Sequence, residues 1–415
     1  MSRNLQIAIA ALLLIAAAIA AWFILRKPAP PPEPQVAGMR LVPATFADLP
    51  DWKTSDARAA LSAFRRSCAV IAQKSALSSM GGAGYAGTAG DWQGACAAAP
   101  STSADAQTAR RFFETWFVPV AVSSGDTKEG LFTGYYEPEL KASRTRHGAY
   151  QTPLYGLPPD LVMVDLASFA EILKKPDIPK ERIAGRVVDH RLVPYPTHAQ
   201  INAGALKDAP VLVYAEDPVA AFFLHIQGSG RVVLDDGTAI RLAFAGTNGR
   251  AYTAIGRTLI QRGELSRETV SLQSIRAWLE AHPKDAQGVM ESNESFVFFQ
   301  EEPMADPSLG ANGSEGVPLT AEASLAVDQR MHALGTPVYL VADVPNGDGE
   351  ESFHRLLVAQ DTGGAIRGAV RGDVYWGAGT RAETIAGKMK ARGTLFVLLP
   401  KPVAAALGSG KTYSP

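Results

Sequence analysis

The chain has 415 residues, 47% of them hydrophobic and 20% charged. That is long enough for two domains with a substantial core, and too apolar for a disordered chain outside the N-terminus. Forty basic residues against 41 acidic ones leave a net charge of -1, which excludes a basic footprint for nucleic acid and suits an uncharged or saccharide partner.

Arg3 is followed by an unbroken apolar run from Ile7 to Leu25, closed by Arg26-Lys27. At ~1.5 Å per residue, a helix of this length nearly spans a ~30 Å hydrocarbon core. Ala18-Ile19-Ala20 resembles a signal-peptidase site, but Trp22-Phe23-Ile24-Leu25 still follow it. The run therefore reads as an uncleaved membrane anchor, with a cleaved signal peptide as the other reading. It shows no polar face at any period, so it does not read as a core helix. No cysteine follows to accept a lipid. Residues 28–34, Pro-Ala-Pro-Pro-Pro-Glu-Pro, predict a polyproline spacer of ~3.1 Å per residue that holds a soluble body off the membrane.

The body opens with helices. Ser55 or Asp56 can cap the first, whose apolar stripe runs Leu61, Phe64, Cys68, Ile71; Ser103 can cap another that carries Phe112, Phe113 and Trp116. The only two cysteines are Cys68 and Cys96. A bridge between them would suit an exported protein and close a loop worth ~3–4 kcal/mol; two unpaired thiols packed as small hydrophobes is the alternative. Short β runs follow at Leu131–Tyr136, Val211–Ala215, Ala221–Gln227 and Arg231–Leu234, with Asp235-Asp236-Gly237 as a hairpin turn. Two helices come next, one from about Arg250 to Arg262 closed by Gly263, the other capped near Ser271 and burying Ile275, Trp278 and Leu279. Further β runs are predicted at Phe296–Gln300, Val338–Ala342, Leu356–Gln360, Val374–Trp376 and Leu395–Leu399, with a short helix at Arg381–Lys390. Many short strands, few helices, 38 glycines and 28 prolines predict a mainly β fold, a barrel with helical decoration.

Several chemistries lack their motifs. There is no G-x-S-x-G elbow, no H-E-x-x-H, and Gly228-Ser229-Gly230 is too short for a dinucleotide loop. No cofactor or metal is expected. What remains is a Gly- and Asp-rich stretch, Val358-Ala359-Gln360-Asp361-Thr362-Gly363-Gly364-Ala365-Ile366-Arg367-Gly368, then Gly372-Asp373-Val374-Tyr375-Trp376-Gly377. Asp361 ends one apolar strand and Asp373 opens another. Two nearby carboxylates cannot cheaply both ionise, so one becomes a proton donor. From spacing alone, however, aspartate beside glycine reads as a turn or cap residue.

Six ordered blocks decide between these readings. Phe132-Thr133-Gly134-Tyr135-Tyr136-Glu137-Pro138 resembles the F-T-G-Y-Y-x-P of the membrane-bound lytic murein transglycosylase A family. His225-Ile226-Gln227-Gly228-Ser229-Gly230 resembles its Q-G-S-G strand end, and Ala245-Gly246-Thr247-Asn248-Gly249-Arg250-Ala251-Tyr252 its A-G-x-N-G-x-x-Y. Asn293-Glu294-Ser295-Phe296-Val297-Phe298-Phe299 is similar to N-x-S-F-V-F-F. Val317-Pro318-Leu319-Thr320 and Ser324-Leu325-Ala326-Val327-Asp328 lead into a three-aspartate module that Asp361 and Asp373 complete. The likeness covers nearly everything after residue 40. The chain departs from familiar members at the anchor, where it lacks their lipidated cysteine.

The resemblance implies a double-psi β-barrel with a smaller inserted β domain and a glycan groove between them. Residues 1–39 are then anchor and linker, 40–137 and 247–415 the barrel domain with the three-aspartate module at 317–400, and 138–246 the insert. It also implies that Asp373 is the single catalytic acid, with Asp361 supporting it and Asp328 supporting or structural. The partner is the glycan strand of peptidoglycan, on the periplasmic side of the cell envelope. Thr133, Tyr136, Gln227 and Ser229 are the candidates for lining the groove, since tyrosine rings stack on sugars while amides and hydroxyls match their polar groups. Only one of Tyr135 and Tyr136 can face the groove, because alternation buries the other. His225 reads as a core histidine, and Trp376 as barrel packing. Two alternatives stand beside this: a non-catalytic glycan-binding protein, and a hydrolase using Asp361 and Asp373 as a pair.

Overall fold

The computed structural model describes residues 38–169, 182–206, 208–304, 306–347, 349–407 and 412–414. The apolar run 7–25 and the proline spacer lie outside the described residues; among those described, no helix is long and apolar enough to cross a membrane.

The body begins with β1 (Met39–Pro43) and three α-helices, Arg58–Ile71, Ala89–Ala98 and Ala106–Trp116. The first buries Leu61, Phe64, Cys68 and Ile71 along one stripe. Asp105, not Ser103, caps the third, accepting from the Thr108 N–H at 2.9 Å. Cys68 and Cys96 are bonded to one another, their Cα atoms 5.1 Å apart, and tie the first helix to the second. Phe64, Phe112, Phe113 and Phe117 pack ring against ring beneath them. Then come β2 (Phe117–Ser124) and β3 (Glu129–Glu137).

After β3 the chain leaves for a second unit. Its strands are β4 (Glu139–Ser143), β5 (Thr152–Tyr155), β6 (Val162–Asp165), β7 (Arg182–Val188), β8 (Arg191–Pro194), β9 (Val211–Ala215), β10 (Gly230–Leu234), β11 (Ala239–Thr247) and β12 (Val297–Glu302). Six of them form one sheet in the order β12-β11-β10-β4-β9-β5, while β6, β7 and β8 form a small sheet of their own. The β10–β11 hairpin turns at Asp235-Asp236-Gly237, where Gly237 takes φ +84°.

The segment Ala221–Gln227, expected as a strand, is instead the body of a helix, Pro218–Gln227. Asp217 caps it by accepting from the Val219 N–H at 2.8 Å, Pro218 fits its first turn, and Gly228 ends it in the left-handed region. Ala221 and Leu224 pack on the sheet; Val219, Phe222 and Phe223 pack on the helices Ile255–Gln261, Leu272–Ala281 and Pro283–Glu291. A helix buried on both sides has no polar face, so its period is lost to a sequence reading. The helix expected from Arg250 begins only at Ile255. β12 pairs antiparallel with β11, and the intervening helices share the core of the Pro218–Gln227 helix. Strand pairing and packing thus carry the inserted unit on to Glu302, past the division expected at residue 246.

Beyond it lie β13 (Leu309–Asn312), β14 (Pro318–Thr320), β15 (Ser324–Val327), β16 (Pro337–Asn346), β17 (Gly349–Thr362), β18 (Arg371–Ala378), β19 (Lys390–Pro400) and β20 (Thr412–Tyr413). Hydrogen bonding runs β16-β17-β15-β18-β3-β19, and β19 pairs back to β16, which closes a six-stranded barrel. The β15–β17 and β18–β3 pairs are parallel and the others antiparallel. The barrel is therefore built from two distant segments, β3 and everything from β15 onward, with the second unit inserted between. This is the double-psi barrel with a smaller β insert. Its interior is apolar: Phe132, Leu325, Val338, Leu340, Val374 and Val397 are all buried.

Glu137, at the end of β3, fastens the two parts. It is 1% exposed and accepts from Arg231 Nε on β10 at 3.0 Å and from Arg241 Nη2 on β11 at 3.3 Å. The Arg241 guanidinium also reaches the Leu309 carbonyl at 2.6 Å, where the chain returns to the barrel.

Candidate active site

The barrel register places the chemistry-bearing residues in one row. Ala326 on β15 lies opposite Asp361 on one side and Asp373 on the other, and Asp373 lies opposite Thr133 on β3. Residues at paired positions share a face of the sheet. Thr133 and Asp373, 240 positions apart in sequence, thus meet through strand pairing alone.

Asp373 is partly open to solvent. Its Oδ1 accepts from Thr133 Oγ1 at 2.8 Å, and that hydroxyl in turn accepts from Arg371 Nη2 at 2.9 Å. A guanidinium has no lone pair to offer, so the single threonine proton must point at Asp373. Oδ2 has no hydrogen-bond partner among the described residues and is not sealed from solvent. Burial among barrel side chains lifts the Asp373 carboxyl to about 6; the Arg371 charge and the Thr133 hydrogen bond pull the other way, and Asp361 adds to the rise. The result is a carboxyl group whose proton belongs on the exposed oxygen.

Asp361 is held differently. Its Oδ1 accepts from the Ser314 N–H, the Ser314 hydroxyl and the Thr362 N–H, each at 2.9 Å, and its Oδ2 accepts from the Tyr135 hydroxyl at 2.8 Å. Both oxygens are engaged. Asp328 is 1% exposed and lies away from this row: Arg330 grips it with its backbone N–H, Nε and Nη2, and the Gly368 N–H reaches Oδ2 at 2.8 Å. Burial alone would raise the Asp328 carboxyl, but these hydrogen bonds hold it below the usual carboxylate range. It closes the loop between β17 and β18.

The expected groove residues divide. Thr133 touches Asp373. Tyr136 is 4% exposed and turned away, its hydroxyl donating to Glu383 at 3.3 Å and its N–H to Gln227 Oε1 at 3.2 Å. Its neighbour Tyr135 is the one beside the carboxylates, 5.2 Å from the Tyr375 ring between centroids. Strand alternation gives Tyr135, not the expected Tyr136, the face of Thr133. Gln227 and Ser229 stay half-buried at the end of their helix, and Gln227 spends its amide oxygen on the strand. His225 is a core residue, buried in a helix with Nδ1 accepting from the Val297 N–H at 3.3 Å. Trp376 packs the barrel, its Nε1–H on Met389 Sδ at 3.4 Å and its ring against Phe353.

Two residues escaped the sequence reading. Arg371 sets the direction of the Thr133 proton, and it stands two positions before Asp373. Tyr252 is exposed overall, but burial around its hydroxyl, with the Asp373 charge adding to it, raises that group above the usual range. It closes the Ala245–Tyr252 block, so its signal was in view without a role attached. Among the described residues no three acidic, histidine or cysteine side chains are grouped to hold a metal ion.

Residues 131–300 match the MltA specific insert domain, and residues 323–399 match the 3D domain. The chain is 35% identical over 318 residues to the membrane-bound lytic murein transglycosylase A of Escherichia coli strain K12, covering 75% of this chain and 74% of that protein. A membrane-bound lytic murein transglycosylase from Agrobacterium tumefaciens, known from its crystal structure, superposes with a TM-score of 0.77 at 32% identity, over 88% of this chain and 99% of that one. The E. coli MltA structure with bound chitohexaose matches with a TM-score of 0.55 at 30% identity, over 75% of this chain and 83% of that one. The barrel, the insert and the similarity across both place this chain in the membrane-bound lytic murein transglycosylase A family.

Proposed function

We propose that this protein is a lytic transglycosylase, a lyase, that cleaves the β-1,4 bond between N-acetylmuramic acid and N-acetylglucosamine in peptidoglycan, with Asp373 serving first as acid and then as base. Protonated Asp373 gives its Oδ2 proton to the bridging oxygen, and the muramoyl C1 takes on oxocarbenium character as the bond breaks. The C6 hydroxyl of the same muramoyl residue then attacks C1. The ionised Asp373 accepts the hydroxyl proton, so the acid is regenerated and the product ends in 1,6-anhydromuramic acid. No water is consumed. Positioned acid catalysis supplies about 10²–10⁴-fold, and a well-oriented internal nucleophile has an effective molarity of about 10⁵ M or more, enough to outrun solvent.

The observation that carries this reading is the contrast within the aspartate row. Asp373 has a free, solvent-reached oxygen and a raised carboxyl, whereas both oxygens of Asp361 are committed to donors. A hydrolase of the retaining type needs a second carboxylate free to attack, and one of the inverting type needs it free to activate water. Asp361 supplies neither; it steadies Tyr135 and adds to the Asp373 rise. The names of the relatives, and the chitohexaose held by the E. coli protein, support a glycan with acetamido groups in a groove beside Asp373, bordered by Thr133, Tyr135 and Tyr252. Their description as membrane-bound agrees with an anchor at residues 7–25 and a catalytic body on the periplasmic side.

Mass spectrometry of purified peptidoglycan digested with the protein tests the proposal. Anhydromuramoyl ends are expected. Reducing ends, heavier by one water, would show a hydrolase instead; intact murein would leave only a binding protein.

A further inference from the structure

The hydrogen bonds that end on Asp361 all run one way. Its Oδ1 takes the N–H groups of Ser314 and Thr362, which can only donate. Its Oδ2 takes the Tyr135 hydroxyl proton at 2.8 Å. A phenol has a single proton, and here it is committed, so Tyr135 Oη has only lone pairs left to offer. Donating to a carboxylate polarises the hydroxyl and makes its oxygen a better acceptor in turn. No second hydrogen bond reaches that oxygen among the described residues.

Strand pairing sets this acceptor beside Asp373. Tyr135 follows Thr133 on the same face of β3 and pairs with Tyr375, which follows Asp373 on the same face of β18; the two tyrosine rings lie 5.2 Å apart. From there the half-buried Tyr135 reaches Asp361 on β17. Burial raises its hydroxyl well above the usual range, and the charges of Asp361 and Asp373 add to the rise, so the proton stays on the phenol. A muramoyl residue inside a glycan strand has few donors to set against such an oxygen. Its O1 and O4 are bonded to neighbouring sugars and its O3 to the lactyl group, which leaves the C6 hydroxyl and the acetamido N–H. In the reaction proposed above, the C6 hydroxyl gives its proton to Asp373.

We infer that Tyr135 determines specificity for the C2 substituent of the cleaved sugar: Tyr135 Oη accepts the muramoyl acetamido N–H while its own proton is held by Asp361. Asp361 is then a positioning residue that acts through Tyr135, fixing which way the hydroxyl points. The amide carbonyl, trans to its N–H, points away from the Asp361 carboxylate, which would repel it. A sugar whose C2 substituent has no hydrogen to give sets a second acceptor against Tyr135 Oη and leaves both unmatched. The inference rests on the cleavage reading above and adds to it a selection of substrate that the role of Asp373 does not contain.

The test pairs two synthetic glycan strands with the full chain. One alternates N-acetylglucosamine and N-acetylmuramic acid; in the other, an acetoxy group replaces the acetamido group of every muramoyl unit, which keeps the carbonyl and methyl but removes the N–H. The amide-to-ester ratio of kcat/KM should fall about tenfold from the wild type to Tyr135→Phe, as loss of one hydrogen bond does, while the ring still packs on Tyr375. Asp361→Asn should lower the ratio at least as far. Its Oδ1 would keep the Ser314 and Thr362 N–H groups, so Nδ2 would face Tyr135 and turn that hydroxyl into a donor. A ratio unchanged in Tyr135→Phe would overturn the inference, because a residue that only packs lowers both rates alike; anhydro ends from the wild type would then leave the cleavage reading standing. An amide strand left whole by the wild type would overturn the cleavage reading and this one with it.

Discussion

At Asp373 the burial that penalises charge is also what would supply the proton that the proposed chemistry needs. The carboxyl is raised to about 6 because its surroundings penalise charge, so the folded protein at pH 7 holds an ionised group it would rather not. A carboxyl raised in the native state contributes stability below its unfolded value, and loses that contribution as pH climbs through about 6. Asp373→Asn keeps an acceptor for Thr133 and removes the charge. At pH 7 it should abolish turnover yet raise stability on the order of 2–3 kcal/mol, and the gain should vanish below about pH 3, where both the folded and the unfolded wild type are protonated at this position. Denaturant melts at the two pH values read this directly; an Asn variant that still releases muropeptides removes Asp373 from catalysis. Because the acid must enter protonated, kcat/KM of the wild type should fall about tenfold per pH unit above 6. Thr133→Val deletes a hydrogen bond that favours the ionised form, so its alkaline limb should move to higher pH while kcat drops about 10–100-fold for want of a fixed Oδ2. An unmoved limb would mean that Thr133 merely fills space. The tyrosine pair shows what residue-level reading can and cannot do: alternation guaranteed that one ring shared the face of Thr133, but only the register against β18 sets that face beside Asp373 and Asp361.

Among elements, legibility followed the environment each one occupies. The barrel strands were recognisable because their branched and aromatic runs are bounded by glycine and aspartate, and the Leu272–Ala281 helix because Ser271 announces it with a reciprocal cap. The Pro218–Gln227 helix was misread because two separate cores claim opposite sides of it, leaving no polar face to reveal the turn. Its caps, Asp217-Pro218 and Gly228, were the surviving signal. The junction of barrel and insert was invisible for another reason: Glu137, Arg231 and Arg241 are ordinary charged residues until strand pairing buries them together. Taking two arginines out of water is tolerable only while the carboxylate answers them, so Glu137→Gln should cost about 3–5 kcal/mol although it preserves shape. The midpoint of urea unfolding measures it. A loss under about 1 kcal/mol would mean that the carbonyls of Pro307 and Leu309 suffice to hold both guanidinium groups.

Across the whole molecule, the order of the chain and the order of assembly disagree. β3 is made before the insert, yet both of its barrel partners, β18 and β19, come more than 230 residues later. The six-stranded sheet of the insert, by contrast, draws all its strands from Glu139–Glu302 and has its own buried cluster around Leu154, Val213, Leu224 and Phe299. Closing a long loop costs entropy before any distant contact repays it, so the local unit should form first and the barrel last. A chain ended after residue 330 lacks β16 to β19 and cannot close the barrel, but it keeps every strand of the insert sheet, together with Glu137 and its two arginines. Limited trypsin digestion of that fragment should therefore leave a resistant core spanning about residues 137–302, read by mass spectrometry, and no murein cleavage. Rapid digestion of the whole fragment would show the reverse dependence, an insert that folds only against a completed barrel, and would make Asp373 and its groove the product of a single cooperative transition.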